Sequence, residues 1–296
     1  MGTGSVLGVT KVVDNGPDTT QWNLVIVGDG YTNSEIGSFS STVNSFLTRL
    51  QTTAPFSGSL TWDRVNVYRM DVASDESGAI NPATCPDGTT AFANSVSSGV
   101  SYFDAEYCQA GVDLRRALVV DTAAVSLEVG ALVPDVDVIL VFVNHVQPGG
   151  TGADGVAVSY AGGWLDGTAI HELGHSAFGL GDEYPYLAGC ASGETTQDQY
   201  TGAEPLEPNL TINVDRATIK WASYVDASTP LPTTVNPDPT QCDTQPNPFP
   251  TTPSAPTRAA ATSTPGSTGR RTTAGCRRPT TTRSAPSASE RSSPGS

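Results

Sequence analysis

The stretch Val136-Asp-Val-Ile-Leu-Val-Phe-Val-Asn144 is the most apolar run in the chain and reads as a strand buried at the centre of a sheet. A second run, Trp22-Asn-Leu-Val-Ile-Val-Gly28, reads the same way and is closed by a Gly28-Asp29-Gly30 turn. After Thr32 and Asn33, which suit a helix cap, apolar residues recur at Ile36, Phe39, Val43, Phe46, Leu47 and Leu50. That three-to-four spacing predicts an amphipathic helix. Leu60 to Met70 alternates toward a further strand, with Val65, Val67 and Tyr68 as its β-formers. Residues 73–110 are rich in Gly, Ser and Asp and form a long insert, with Cys85 and Cys108 as its staple. Val112 to Val125 is a second candidate helix. Gly149 to Gly155 reads as a flexible turn and Val156 to Ala161 as a short strand, after which Thr168 starts another helix. Strand–helix–strand order around a long buried strand indicates an α/β layered fold.

That last helix carries His171-Glu172-Leu173-Gly174-His175. Positions i and i+4 share one helix face, so both imidazoles can address a single metal ion. The intervening Glu172 is then placed to act as a general base on a metal-bound water, whose pKa zinc lowers towards ~7. The pentapeptide alone recurs by chance in unrelated proteins. Here Ala169, Ile170, Leu173, Ala177 and Phe178 back it with an apolar face, and it holds two of the chain's three histidines. The third, His145, follows the central strand, where a lone histidine is more often structural than functional.

Composition narrows the function classes. The 30 acidic residues against 15 basic ones repel a phosphate backbone, so nucleic acid is excluded as the expected partner. No stretch approaches the ~20 apolar residues of a membrane span. The five cysteines, Cys85, Cys108, Cys190, Cys242 and Cys276, form no Cys-x-x-Cys pair, which argues against a cysteine-only zinc site. Their wide, loop-borne spacing predicts the disulfides Cys85–Cys108 and Cys190–Cys242 in an oxidising compartment. The expected localisation is therefore secreted, with the signal peptide trimmed, since none is legible after Met1. Beyond about Pro248 the chain changes character. Residues 251–296 hold no Leu, Ile, Val, Phe, Tyr or Trp and carry seven Arg against one Glu, leaving the preceding residues 8 basic and 29 acidic groups, a net charge near −21. Such a segment buries too little apolar surface to offset its ordering entropy.

The stretch His171-Glu-Leu-Gly-His-Ser-Ala-Phe-Gly-Leu-Gly-Asp-Glu-Tyr184 resembles the motif of the IgA peptidase family of bacterial zinc metallopeptidases. Asn23-Leu-Val-Ile-Val-Gly-Asp-Gly-Tyr-Thr32, Pro55-Phe56, Asn66-Val-Tyr68 with Ser74-Asp-Glu-Ser-Gly78, and Lys220-Trp221 extend the likeness over residues 20 to about 230. The resemblance implies a metzincin-like α/β/α catalytic domain with a mixed sheet and a zinc-binding helix. It gives His171 and His175 as ligands of Zn2+, Glu172 as base, and a protein or peptide as substrate. In metzincins the helix breaks at a glycine and a third histidine follows. Here the break is Gly179, and the corresponding place falls on Gly181 when counted from His171, or on Asp182 when counted from the break. Asp182 is the expected third ligand and Glu183 its close alternative. The expected organisation is a catalytic domain over 1–247 and a tail over 248–296. Metzincins carry a methionine beneath the zinc, yet Met1 and Met70 both lie upstream of the motif. Read from each codon's third base, the tail permits a peptide with a Met and paired cysteines like the family's C-terminal end. The tail is thus expected to be a frameshifted translation starting between about Gln245 and Thr257, with a disordered Pro/Thr linker as the other reading. Two further functions compete with the secreted endopeptidase: a zinc-binding but inactive adhesion or glycan-binding domain, and a zinc hydrolase acting on a small amide.

Overall fold

A computed structural model describes residues 2–86, 88–108, 114–182, 202–229, 231 and 241. Cys190, Cys242, Cys276, Glu183 and the tail beyond residue 247 lie outside the described residues. The elements in chain order are β1 (Gly4–Val13), β2 (Trp22–Asp29), α1 (Ile36–Gln51), α2 (Ser59–Trp62), β3 (Val65–Ser74), β4 (Ile80–Asn81), β5 (Ser97–Ser98), β6 (Glu106–Tyr107), β7 (Leu118–Val119), α3 (Thr122–Leu132), β8 (Val138–Val143), β9 (Gly150–Ala153), β10 (Val156–Tyr160) and α4 (Leu165–Phe178).

Six strands form one mixed sheet in the order β1-β3-β2-β8-β10-β9. The inner four, β3, β2, β8 and β10, run parallel, and the edge strands β1 and β9 run antiparallel to their neighbours. The continuous apolar runs have a simple cause: both sheet faces are buried, so every position along a central strand meets a core. Leu24, Ile26, Leu140 and Phe142 face one core with α1 and α4, while Val25, Val27, Ile139 and Val141 face the other with α3 and the insert. The chain is thus a mixed α/β protein with helices on both sheet faces. The expected amphipathic helix is α1, whose Phe39, Val43, Phe46, Leu47 and Leu50 are buried. Each such side chain contributes roughly 1.5–3 kcal/mol of burial. Thr32 and Glu35 close a reciprocal capping box just before it.

Four local expectations shift. The strand expected over 60–70 is β3, which starts at Val65 because Ser59–Trp62 forms the short α2. The helix expected at 112–125 is α3, running Thr122–Leu132. Asp121 caps it by accepting from Ala123 and Ala124 N–H, while Leu118–Val119 pairs with β6 instead. The expected turn at 149–155 is a hairpin arm, β9, joined to β10. Helix α4 begins at Leu165 rather than Thr168.

The 73–110 insert packs on the α3 side with a small four-stranded sheet and the Cys85–Cys108 disulfide. Two of the stretches that carry the family likeness have structural jobs. Buried Asn66 donates to Asn23 Oδ1 and Asp18 Oδ1, and Tyr68 Oη–H donates to Asp18 at 2.6 Å, which ties the loop before β2 to β3. Gly30 N–H donates to Ser74 Oγ and Gly78 N–H to Gly30 O, which joins the end of β2 to the end of β3. Among the described residues no helix is long and apolar enough to cross a membrane.

Candidate active site

Helix α4 lies on the sheet through Leu165, Ala169 and Leu173, spaced by four, and this leaves His171 and His175 on another face. The edge strand β9 can approach the helix closely because it carries glycines. A Cβ on Gly152 would stand 2.4 Å from the Glu172 carbonyl oxygen, and one on Gly150 would stand 2.8 Å from Glu172 Oε1. Glu172 is buried between helix and strand at the back of a cleft of about 510 Å3.

Gly179 ends the helix in the left-handed region (φ 62°), which favours glycine. The chain then doubles back, with Gly179 N–H donating to His175 O and Leu180 N–H to Gly174 O. This return delivers two groups to the histidines. Leu180 O lies 2.6 Å from His175 Nδ1, and a carbonyl only accepts, so Nδ1 carries the proton and a neutral ring turns its Nε2 lone pair outward. Asp182 Oδ1 then sits 3.0 Å from His171 Nε2 and 3.2 Å from His175 Nε2, and the two nitrogens are 3.1 Å apart.

These three donor atoms form a nearly equilateral triangle. Around a tetrahedral ion with ligands at ~2.0–2.1 Å, donor atoms lie about 3.3 Å apart, so two imidazoles and one carboxylate fit a divalent transition metal. Glu172 also lies near, its carboxylate within 4.8 Å of both histidine nitrogens. The shorter contacts of Asp182 sort the two carboxylates into one against the nitrogens and one beside them. Electrostatics point the same way. Burial lowers the His175 pKa, but the Asp182 and Leu180 acceptors outweigh it and push the ring up to about 9, so without metal the ring carries a proton on Nε2 beside Asp182. It is a bound cation that would take that proton's place and leave the ring neutral. Burial pushes Glu172 up to about 7, against the opposing pull of His171, His175 and Arg116.

The structure brings His171, Glu172, His175 and Asp182 together. His145 stands apart and does not line the cleft. Its Nδ1 accepts from Gln147 N–H, its Nε2 lies 3.1 Å from Ser97 Oγ, and burial lowers its pKa, so it is a neutral pin for the insert.

Two residues escaped sequence reasoning. Asn209 clamps Gly181 through both ends of its amide, with Gly181 N–H donating to Oδ1 and Nδ2 donating to Gly181 O, each at 2.8 Å. Lys220 holds the loop that presents Asn209 by donating to Glu207 O and Leu210 O. Gly181, adjacent to Asp182, is closely packed: a Cβ would stand 2.5 Å from Leu210 Cδ1, so that side chain would have to move. Arg116 is the other, an exposed residue at the cleft whose carbonyl accepts from Gly150 N–H. Neither carries a local signal, because each reaches the site from a distant part of the chain.

A search of curated proteins finds no match. A family model described as IgA Peptidase M64 matches residues 10–245, which includes every element that builds the cleft. With four-fifths of the sequence matched and a His-Glu-His group at its centre, the chain belongs to the IgA Peptidase M64 family of metallopeptidases.

Proposed function

We propose that the chain is a secreted, zinc-dependent endopeptidase with Glu172 as its general base. The observation that carries the reading is the triangle of His171 Nε2, His175 Nε2 and Asp182 Oδ1, with the buried Glu172 carboxylate beside it. His171, His175 and Asp182 would hold the zinc, and two imidazoles with one carboxylate form a donor set of catalytic rather than structural type. When bound, zinc supplies Lewis-acid polarisation of the scissile carbonyl and an acidified water. Glu172 takes the proton of the attacking water and returns it to the departing amine. Its buried position raises its basicity toward working pH, which suits that exchange. Strand β9, the antiparallel edge of the sheet beside α4, offers the substrate an extended backbone to align with.

A catalytic domain over 1–247 with a metzincin-like fold accommodates these features: helices on both sheet faces, an edge strand along the active-site helix, and a glycine break after it. The Cys85–Cys108 disulfide supports a secreted protein. Casein zymography of the metal-loaded protein, with and without a chelator, tests the reading. Hydrolysis that a chelator abolishes and zinc restores is the expected result. Zinc retained by the histidines without any hydrolysis would instead favour a binding domain.

A further inference from the structure

We infer that His145 is an acid-released latch, a positioning residue whose neutral ring fastens the insert to the wall of the cleft and lets go when it takes a second proton. Its partners fix its protonation state. Gln147 N–H donates to Nδ1 at 3.1 Å, so that nitrogen offers its lone pair. Ser97 Oγ–H donates to Ala79 O, so the same oxygen is left to accept from Nε2–H, 3.1 Å away. Both nitrogens of the buried ring are thereby satisfied in the neutral Nε2–H form. A proton added at Nδ1 would face the Gln147 N–H, donor against donor.

Gln147 carries that bond in two directions. Its Oε1 accepts from Phe92 N–H at 2.8 Å and its carbonyl accepts from Tyr107 Oη–H, so it holds two parts of the insert. The next three residues, Pro148, Gly149 and Gly150, line the cleft, and Gly150 opens β9. Gly149 packs on Tyr107, where a Cβ would stand 2.7 Å from the ring's Cε1. Losing the His145–Gln147 bond therefore loosens the insert and the cleft wall together. The groups around the ring offer a second proton no acceptor. The Tyr107 ring lies 4.9 Å away, centroid to centroid, and turns its hydroxyl proton to Gln147. Arg115 reaches the network through Asn81, which donates to Ser95 O, and Glu35 lies beyond Ser77 and Asn144. Burial holds the His145 pKa below the usual 6.5, against the weaker pull of a backbone acceptor at Ser95. The folded protein thus binds fewer protons at His145 than an opened one, and opening is favoured as pH falls below about 6.5.

Hydrogen exchange at the Gln147 and Phe92 amides of the full chain, corrected for the intrinsic pH dependence of exchange, reads the latch. Opening in the wild type should increase about tenfold from pH 7.5 to pH 5.5, as expected of a ring that regains its ordinary proton affinity on opening. His145→Asn keeps an acceptor for the N–H two residues on and cannot take a proton, so its opening should change less than about twofold. Asp29, His171, Glu172 and His175 titrate alike in both proteins. A rise of less than about twofold in the wild type, or an equal rise in His145→Asn, overturns the inference. Histidine 15N NMR tests it without a variant. At pH 7.5 His145 should show a protonated Nε2 and a bare Nδ1, and it should titrate below 6.5. The opposite tautomer, or titration at 6.5 or above, overturns the latch. Neither measurement uses turnover, so the inference stands or falls apart from the peptidase reading.

Discussion

Three side chains and one loop residue decide the chemistry at the residue scale. On the zinc-peptidase reading proposed above, Glu172→Gln keeps the shape and removes the proposed base, so hydrolysis should fall by ~10²–10⁴-fold while zinc content, read by elemental analysis, stays near one per chain. A variant that turns over at the wild-type rate would show that another group moves the proton. Burial holds the Glu172 pKa at about 7 without metal, and a bound cation pulls it lower. The rate should therefore rise with pH up to about 7 as the base ionises. Asp182→Ala removes one of the three proposed donors and should strip zinc during dialysis. Asn209→Ala leaves the donors intact but frees Gly181, so metal affinity should drop ~10–100-fold, the usual cost of losing an outer support. Competition with a chromogenic chelator reads both. Unchanged affinity in Asn209→Ala would reduce that clamp to a loop contact.

Elements place these residues, and the closest fit is between α4 and β9. Gly152→Val puts a branched side chain where a Cβ alone would stand 2.4 Å from the Glu172 carbonyl, so helix and strand must part. Activity should be lost and the melting temperature lowered, whereas the same change at Gly167, which has open space, should be far milder. Equal effects at both positions, by activity and thermal melt, would disprove the tight packing. The strand β9 also shows where the sequence was opaque. Gly150-Thr-Gly-Ala153 has no large apolar side chain and only Thr151 as a β-former, because its glycines serve the neighbouring helix rather than a core. The central strands were legible for the opposite reason, since two buried faces leave a continuous apolar run. Helix α3 was placed ten residues early because Leu118 and Val119 are apolar for a strand, and only the cap at Asp121 marks the true start. The site divides along the same line. That His171, Glu172 and His175 come together was legible from helical spacing, while the glycine break pointed to Asp182 with Glu183, outside the described residues, as its alternative. The Asn209 clamp was not, for it arises from a contact 28 residues away along the chain.

At the scale of the whole molecule, one buried carboxylate joins the sheet to the insert. Asp29 ends β2 and is fully buried, accepting from Ser101 Oγ–H at 2.6 Å and Phe103 N–H at 2.9 Å. Burial outweighs those hydrogen bonds and raises its pKa from 3.8 to about 6. Between those values the folded protein holds a proton that the unfolded chain has released. Stability changes with pH as the protons bound unfolded minus those bound folded, so it falls as pH rises through this window. The loss from Asp29 is on the order of 3 kcal/mol by pH 7. Buried Glu172 titrates in the same sense, from 4.5 up to about 7, and adds to the slope in metal-free protein. Asp29→Asn isolates the first contribution, because its amide still accepts from Phe103 N–H and can donate to Ser101 Oγ, yet never ionises. Urea unfolding of the metal-free protein at pH 4 and pH 7 should show the wild type losing more stability than Asp29→Asn over that interval. The difference should be about 2 kcal/mol, since part of the loss has already occurred by pH 4 and Glu172 and the surface charges titrate alike in both proteins. Parallel loss in the two proteins would mean that Asp29 is ionised at pH 4 in the fold, stabilised by its donors more than burial disfavours it.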